Sequence, residues 1–199
     1  FIDMPAALSY PMNMKKYNWG YSAEPEPNLY GRSLICPRGK GLGGSSSING
    51  MIYVRGHPQD FDNWSTKGAS SWSFADVLPY FKKMECCESR QSAWRGKNGP
   101  IRIKTAEQKN VLHKVFSDAA IQSGYSFTED YNGYKQEGIG PAEMTIYKGE
   151  RWSAAKGYLK NITKQKNICI MTSCLADKLL FLNNKCQGII FKKQNESIL

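Results

Sequence analysis

The chain has 199 residues, of which 41% are hydrophobic and 22% are charged, and this composition excludes a disordered or collagen-like protein. Its net charge is +10, but the basic residues are scattered and match no zinc-finger or RNA-binding spacing, so we expect no nucleic-acid partner. No apolar run reaches the roughly 18–20 residues of a membrane helix, so we expect no integral membrane segment.

The first third of the chain is predicted to be mostly irregular. Four prolines interrupt residues 1–35, which we expect to form an extended arm that ends in a strand at Ser33–Cys36. A glycine-rich segment follows, and the apolar residues of Ile48–Val54 then suggest a β-like run. Asp60 and Asp62 are expected in a proline-containing loop.

Three helices are predicted further along the chain. Ser73 and Asp76 have the spacing of a capping box at the start of a helix over about Phe74–Glu85. A second helix over about Val111–Ser123 has apolar residues at helical spacing on one face, and a short third helix is predicted over Ala154–Leu159.

Alternating apolar and polar residues predict short strands between and after these helices. A turn at Asn183–Lys185 separates the last two strands and has the composition of a hairpin. The predicted strands are Ile101–Lys104, Ala142–Tyr147, Asn167–Thr172, Lys178–Leu182 and Gln187–Lys193.

The six cysteines form no C-x-x-C pair, so we expect neither a zinc site nor any other metal site. Most of them are expected to be small buried apolar residues. Three Asn-x-Ser/Thr triplets permit secretion to the extracellular space but do not establish it, so the localisation stays open.

The most informative stretch is the glycine-rich segment at residues 37–56. Its closely spaced glycines leave the backbone bare, its three serines add hydroxyl groups, and Arg38, Lys40 and Arg55 add positive charge. No acidic residue lies in this stretch. These features predict a site for a diphosphate or for the electron-rich edge of a planar cofactor.

Residues 39–44 also fit the formal spacing G-x-G-x-x-G, but we reject a dinucleotide-binding turn here. That fingerprint leaves a strand directly, opens a helix and needs an acidic residue about 20 positions later. Pro37 and Arg38 separate the predicted strand from the loop, no helix is predicted after it, and Asp60 and Asp62 lie too close.

Several motifs in order resemble the glucose–methanol–choline (GMC) family of flavin oxidoreductases. Within that family, the chain looks most like the insect glucose-dehydrogenase-like branch. The motifs are Arg38–Asn49, Tyr53–Gly56, Asp60–Asp62 with Trp64, Trp72–Lys83 and Arg151–Leu159.

The resemblance implies an α/β fold with α+β character: an incomplete FAD-binding domain together with the start of a substrate domain. It further implies FAD as cofactor and oxidation of the CH–OH group of a small alcohol or sugar, with hydride passing to flavin N5. Residues 1–100 would belong to the FAD-binding domain, residues 101–160 to a linker and the substrate domain, and residues 161–199 to strands that return to the FAD-binding domain.

Carried over by position, the resemblance also implies the residues that contact the cofactor. Ile48 stands where some members carry a histidine bonded to the flavin, so the FAD should be non-covalent. Ala176 stands where members usually have a valine near the adenine. The implied cofactor-binding residues are Arg38, Gly41, Gly43, Gly44, Ser45, Ser46, Asn49, Gly50, Met51, Ile52 and Ala176.

No catalytic residue is assigned, because neither His57 nor His113 stands at the family's catalytic place, and these are the only two histidines. We therefore expect the chain to be an internal piece of a larger enzyme that cannot turn over substrate alone and holds FAD weakly or not at all. The alternative is a catalytically inactive, GMC-derived binding or interaction protein.

Overall fold

The computed structural model describes residues 1–90, 92–193 and 196–198, the last three by their main chain only. The chain divides into two units, Phe1–Lys160 and Asn161–Leu199, and each is described by itself. In the first unit, the α-helices are α1 (Ser9–Asn13), α2 (Pro58–Thr66), α3 (Phe74–Met84) and α4 (Val111–Gln122). Short 3-10 helices span Pro5–Ala7, Pro27–Leu29 and Gly44–Ser47, and a π-helical turn spans Ala155–Leu159.

The strands of the first unit are short. They are β1 (Tyr21–Ser22), β2 (Ile35–Cys36), β3 (Glu85–Cys87), β4 (Ile101–Thr105), β5 (Glu143–Met144), β6 (Ile146–Tyr147) and β7 (Glu150–Arg151). Strands β1 and β2 pair antiparallel, as do β6 and β7. Strand β4 is central in a mixed sheet, parallel to β3 and antiparallel to β5. The predicted mixture of helices and strands is confirmed.

The apolar core of this unit lies on the β3–β4 pair. Cys87 on β3 packs with Ile101 and Ile103 on β4, and Tyr53 and the partly buried Met84 complete the cluster. The alternation predicted for β4 therefore places its isoleucines in the core. Because β3 follows α3 without a loop, the core also fixes the end of that helix.

Helix α2 corrects the prediction that Asp60 and Asp62 lie in a loop. His57 caps the helix. Its ring Nδ1 accepts the backbone N–H of Gln59, and its backbone N–H donates to the Asp60 carboxylate at 3.2 Å. Pro58 occupies the first helical position, where a missing N–H costs least. Asp62 accepts the backbone N–H of Phe74 at 2.9 Å and so ties α2 to the start of α3.

Helix α3 begins where its capping box predicts. Ser73 accepts the N–H of Asp76, and the Asp76 carboxylate accepts the N–H of Ser73. Helix α4 also matches its prediction, with Asn110 as the N-cap, but its apolar face is exposed. Leu112 and Phe116 on that face are each 67% exposed.

The β-like run predicted at Ile48–Val54 is wrong. Its only ladder contact among the described residues is a single bridge between Ile52 and Met144. The cause is local, since Met51 has a positive φ of 64° that interrupts an extended strand.

The second unit is a three-stranded antiparallel sheet in the order β10 (Glu196–Ile198), β9 (Lys185–Lys193) and β8 (Cys174–Leu182). Asn183 and Asn184 form the hairpin turn between β8 and β9 with positive φ angles of 48° and 59°, which is the type I′ geometry. The strand predicted at Asn167–Thr172 is absent, and Ser173, with φ of 58°, separates that segment from β8.

The cysteines correct a second prediction. Cys86 and Cys87 on β3 are buried, but Cys36 and Cys174 are half-buried, and Cys169 and Cys186 are exposed. All six are free thiols in the described part of the chain. No helix that the structure describes is both long and apolar enough to cross a membrane.

Candidate functional site

The glycine-rich segment follows β2 and is tied to the N-terminal arm by its first residues. The Arg38 N–H donates to the Asn18 side chain at 3.0 Å, and the Lys40 N–H donates to the Tyr17 carbonyl at 2.8 Å. Both bonds use the backbone. The side chains of Arg38 and Lys40 are therefore left on the surface, where they give the segment positive charge.

The segment then closes into a compact turn. Gly39 donates its N–H to the Ser45 hydroxyl at 3.0 Å, and Gly44 donates to the Gly41 carbonyl at 3.0 Å. A Cβ atom on Gly39 would lie 2.1 Å from the carbonyl oxygen of Gly44. Only glycine allows this approach, so the turn depends on Gly39 as closely as on the glycines predicted to meet the cofactor.

The serine hydroxyls mostly serve the turn itself. Ser46 donates to the Gly43 carbonyl at 2.6 Å and accepts the Ala154 N–H at 2.9 Å, while Ser47 donates to another carbonyl of the turn at 2.9 Å. The Ser45 hydroxyl accepts from the turn and keeps its own proton. Of the three serines, Ser45 alone therefore has a hydroxyl proton left to donate to a ligand.

The backbone of the turn presents donors without partners. Gly41, Gly43 and Gly44 have positive φ angles of 122°, 85° and 53°. Among the described residues, the N–H groups of Leu42, Gly43 and Ser45 meet no hydrogen-bond acceptor. Such bare N–H groups, next to basic side chains, suit an anionic group that approaches the backbone closely.

The segment continues into residues 49–52, of which Met51 is buried and the other three are exposed. Met51 is 1% exposed, although its φ of 64° is unusual for a residue with a side chain. Its N–H donates to Asn49 Oδ1 at 3.1 Å, and its carbonyl accepts the Thr145 N–H at 2.8 Å. Gly50 and Ile52 lie on the surface on either side of this anchor.

Arg151 holds the same segment from within the protein and has no exposed surface. One guanidinium nitrogen donates to the Asn49 carbonyl at 2.7 Å, to Asn49 Oδ1 at 3.0 Å and to the Ser46 carbonyl at 3.3 Å. Its Nε donates to the Ile2 carbonyl at 2.9 Å. Burial lowers the pKa of the Arg151 guanidinium, and the charge of Asp3 opposes that shift.

A buried ionic cluster lies at the carboxyl end of the segment. Glu85 pairs with Arg55 at 2.8 Å and with Arg95 at 2.9 Å. Arg95 also binds Glu143 at 2.9 Å and Asp130 at 2.7 Å. Its members come from β3, β5 and three loops, so the cluster fixes the backbone that leaves the glycine-rich segment.

The pKa shifts in this cluster follow from burial and pairing. Burial opposes ionisation of Glu85, but hydrogen bonds from Arg95 and from the Gly96 N–H outweigh it and lower the pKa of Glu85. Burial likewise opposes the charge on Arg95, yet its carboxylate partners raise the pKa of Arg95. Burial, with the nearby Glu85 charge, raises the pKa of Tyr53. Arg95 and Glu85 are therefore charged at neutral pH, and Tyr53 is a neutral phenol.

All but one of the predicted cofactor-binding residues lie in this segment of the first unit. The exception is Ala176, which lies on β8 of the second unit opposite Phe191 in the β8–β9 register. A bulge follows it between residues 176 and 178. Its role near the adenine stays a prediction.

The two histidines have the ordinary surroundings expected of them. His57 caps α2, and His113 is exposed on α4. Among the described residues, no group of His, Cys, Asp or Glu side chains could hold a metal ion. The site therefore consists of backbone donors, basic side chains and the Arg151 anchor.

The chain is similar in sequence to a known family of enzymes. The family model for GMC oxidoreductases matches residues 22–198. The oxygen-dependent choline dehydrogenase of Brucella anthropi is 54% identical over 188 residues, which are 94% of this chain and 34% of that protein. The enzyme of the same name from Rhizobium etli is 52% identical over 189 residues. The chain thus spans about a third of the length of these relatives.

Two solved structures share the fold. Pyridoxine 4-oxidase from Mesorbium loti is 29% identical with a TM-score of 0.91, over 99% of this chain and 39% of that one. A formate oxidase is 26% identical with a TM-score of 0.84, over 99% of this chain and 36% of that one. The insect glucose-dehydrogenase-like branch is not among these relatives, so that finer prediction is not confirmed.

Proposed function

The chain belongs to the GMC oxidoreductase family, and on that premise we propose that it supplies the flavin-holding segment of an enzyme that oxidises a small alcohol. The observation that carries this proposal is the turn over residues 39–47. There, the N–H groups of Leu42, Gly43 and Ser45 have no acceptor among the described residues. Because these exposed or half-buried donors have no protein acceptor, they are available to an anionic ligand, and the basic side chains beside them favour one.

FAD, the cofactor of this family's N-terminal domain, fits the residues that are present. Added Cβ atoms on Gly41, Gly44 and Gly50 would meet nothing within 4 Å, so their backbone is open to a ligand. Inside the segment, one guanidinium nitrogen of Arg151 is buried without an acceptor among the described residues. An open backbone outside and a fixed cation inside are what a diphosphate-bearing flavin needs.

The predicted residues divide between two parts of the cofactor. We assign the phosphate-bearing part to Arg38 and the turn from Gly41 to Ser46, with the N–H groups and the Ser45 hydroxyl as donors. We assign the flavin side to Asn49–Ile52 and the adenine to Ala176. Bound FAD would accept the hydride released from the alcohol carbon.

The cofactor would be held without a covalent bond from this segment. Ile48, at the position where some family members carry a flavin-linked histidine, is 2% exposed and purely aliphatic. It offers no nitrogen for such a bond. Because the only two histidines of the chain cap α2 and lie exposed on α4, we propose that the base for the alcohol proton comes from outside residues 1–199.

The substrate is proposed from the relatives. Choline is named in the enzymes that are 51–54% identical to this chain, so it is the first alcohol to test. In the domain division that we propose, residues 1–100 and 161–199 belong to the FAD-binding domain and residues 101–160 lead into the substrate domain. The division of the chain into two units after Lys160 supports the second of these proposed boundaries.

The proposal can be tested in a chimera of the Brucella anthropi choline dehydrogenase. The 188-residue segment of that enzyme that matches this chain is replaced by the residues of this chain. We expect the chimera to purify with FAD and to oxidise choline, measured as flavin absorbance per protein and as choline-dependent oxygen uptake. A folded chimera without FAD would contradict the proposed function.

A further inference from the structure

We propose that Arg151 is a positioning residue for the flavin, which holds Asn49 and the buried Met51 in place, so that residues 49–52 lie along the cofactor with a positive charge behind them. This inference rests on the proposed function, since it assumes that residues 49–52 lie along the cofactor. Arg151 begins one of the motifs that carry the family resemblance, but it is not among the implied cofactor-binding residues.

Arg151 acts on the segment through Asn49 and, by way of the Asn49 side chain, on Met51. Asn49 Oδ1 receives both the Arg151 guanidinium at 3.0 Å and the Met51 N–H at 3.1 Å. The Asn49 side chain is thus fixed between the arginine and the strained residue that it holds. Met51 has a left-handed φ, which is strained for a residue with a side chain and persists only when its surroundings enforce it.

The surroundings of the guanidinium show that its charge is not neutralised locally. In the described part of the chain, no carboxylate lies within 4.0 Å of Arg151. The negative charge of Asp3 acts on Arg151, but the Asp3 carboxylate is mostly exposed and pairs with Lys156 at 2.8 Å. The groups that Arg151 contacts are carbonyl oxygens and an amide.

This charge has a consequence for the cofactor. Acceptance of a hydride adds one negative charge to a flavin, so a buried cation behind the flavin-facing residues favours the reduced cofactor over the oxidised one. A purely structural arginine would hold the fold without this effect. The reduction potential of the bound flavin therefore separates the two roles.

The positioning role can be tested first in the chain itself. In Arg151→Gln and Arg151→Lys, we expect hydrogen exchange at the amides of Asn49, Met51 and Thr145 to become roughly tenfold faster or more, because the hold on Asn49 is lost. Arg102→Gln is the matched control, since Arg102 is a partly exposed arginine of the same unit that pairs with Glu88. Unchanged exchange at these three amides would overturn the positioning role.

The charge is tested in the chimera. We expect Arg151→Gln to weaken FAD binding by roughly tenfold to a hundredfold and to lower the midpoint potential of the retained flavin. Arg151→Lys keeps the charge, so it should weaken binding and leave the potential near that of the parent. If Arg151→Gln does not fold, Arg151→Lys decides, and parental affinity in that variant would overturn the inference.

The two proposals fail in different ways. A parent chimera that folds without FAD overturns the proposed function. A parent chimera that holds FAD, with an Arg151→Gln variant of equal affinity and equal potential, overturns only the inference on Arg151. Equal lowering of the potential by the Gln and Lys variants would assign the effect to the lost hydrogen bonds and overturn the role of the charge.

Discussion

Gly50 is the residue at which cofactor contact and protein packing can be separated. It has an ordinary φ, and an added Cβ atom would meet nothing within 4 Å, so the protein itself does not require glycine there. A flavin that lies against this backbone would require it. The same is not true of Gly39, whose replacement would disturb the turn directly.

In the chimera, Gly50→Ala should leave the melting temperature unchanged and weaken FAD binding by about tenfold or more, because the methyl group occupies the cofactor's side of the backbone. Gly188→Ala is the matched control, since Gly188 on β9 also has open space around it. Titration of each apoprotein variant with FAD measures its affinity, and thermal denaturation measures its melting temperature. Equal affinity in the two variants would place the flavin elsewhere.

Glu85 predicts how the stability of the first unit depends on pH. Its pKa is lowered in the folded chain, so the unfolded chain, with a glutamate pKa of about 4.3, binds more protons between the two values. The stability that Glu85 contributes is therefore fully present above about pH 5 and is lost as the pH falls through the folded pKa.

We expect the free energy of unfolding in urea to fall as the pH decreases from about 6 to about 3, and to fall less steeply in Glu85→Gln. Glu88→Gln serves as the control, because Glu88 is exposed and, among the described residues, pairs with the partly exposed Arg102 alone. A Glu85→Gln variant with the parental slope would show that Glu85 is not a source of the acid sensitivity.

At the residue scale, the sequence indicates which residues the segment contains but not what holds them. The bare glycines and basic side chains of the turn can be read from spacing. The contacts of Arg151 with Asn49 span 102 positions, and those of Arg55 with Asn132 span 77. No local sequence pattern connects residues so far apart, so the contacts of Arg151 and Arg55 could not be predicted from the sequence.

The elements were predictable where a cap or turn defines them locally. The Ser73 capping box and the Asn183–Asn184 hairpin are short-range patterns, and both appear where expected. Helix α2 was missed because His57 is an uncommon cap and the following proline suggested a loop. The run at Ile48–Val54 was misjudged because the left-handed φ of Met51 interrupts its extended backbone, and Ile52 and Val54 are exposed.

The capping of α3 gives a quantitative prediction. Ser73→Ala removes the acceptor for the Asp76 N–H, so it should reduce the free energy of unfolding by about 1 kcal/mol. Ser70→Ala, an exposed serine in the connection before this helix, should change stability by less than about 0.5 kcal/mol. Urea denaturation, monitored by tryptophan fluorescence, measures the free energy of unfolding of both variants. Equal losses in the two variants would show that the Ser73 cap does not stabilise the helix.

At the scale of the whole molecule, we propose that the chain supplies one part of a cofactor site. Its glycine-rich turn offers donors for FAD, but its one G-x-G-x-x-G match leads into a short 3-10 helix and not into the long helix of a dinucleotide-binding turn. The apolar face of α4 is also exposed in the described part of the chain.

We therefore expect the 199-residue chain to retain clearly less than one FAD per protein after desalting, whereas the chimera retains about one. Flavin absorbance relative to protein absorbance measures this ratio. Stoichiometric FAD on the chain alone would show that its own residues suffice to hold the cofactor.

We propose that the turn between Gly39 and Ser47 binds the flavin cofactor with its backbone. Hydrogen exchange of the chimera with and without FAD tests it most directly, because the N–H groups of Leu42, Gly43 and Ser45 meet no acceptor in the described chain. We predict that FAD slows exchange at these three amides. Tight FAD binding that leaves their exchange unchanged would contradict the claim.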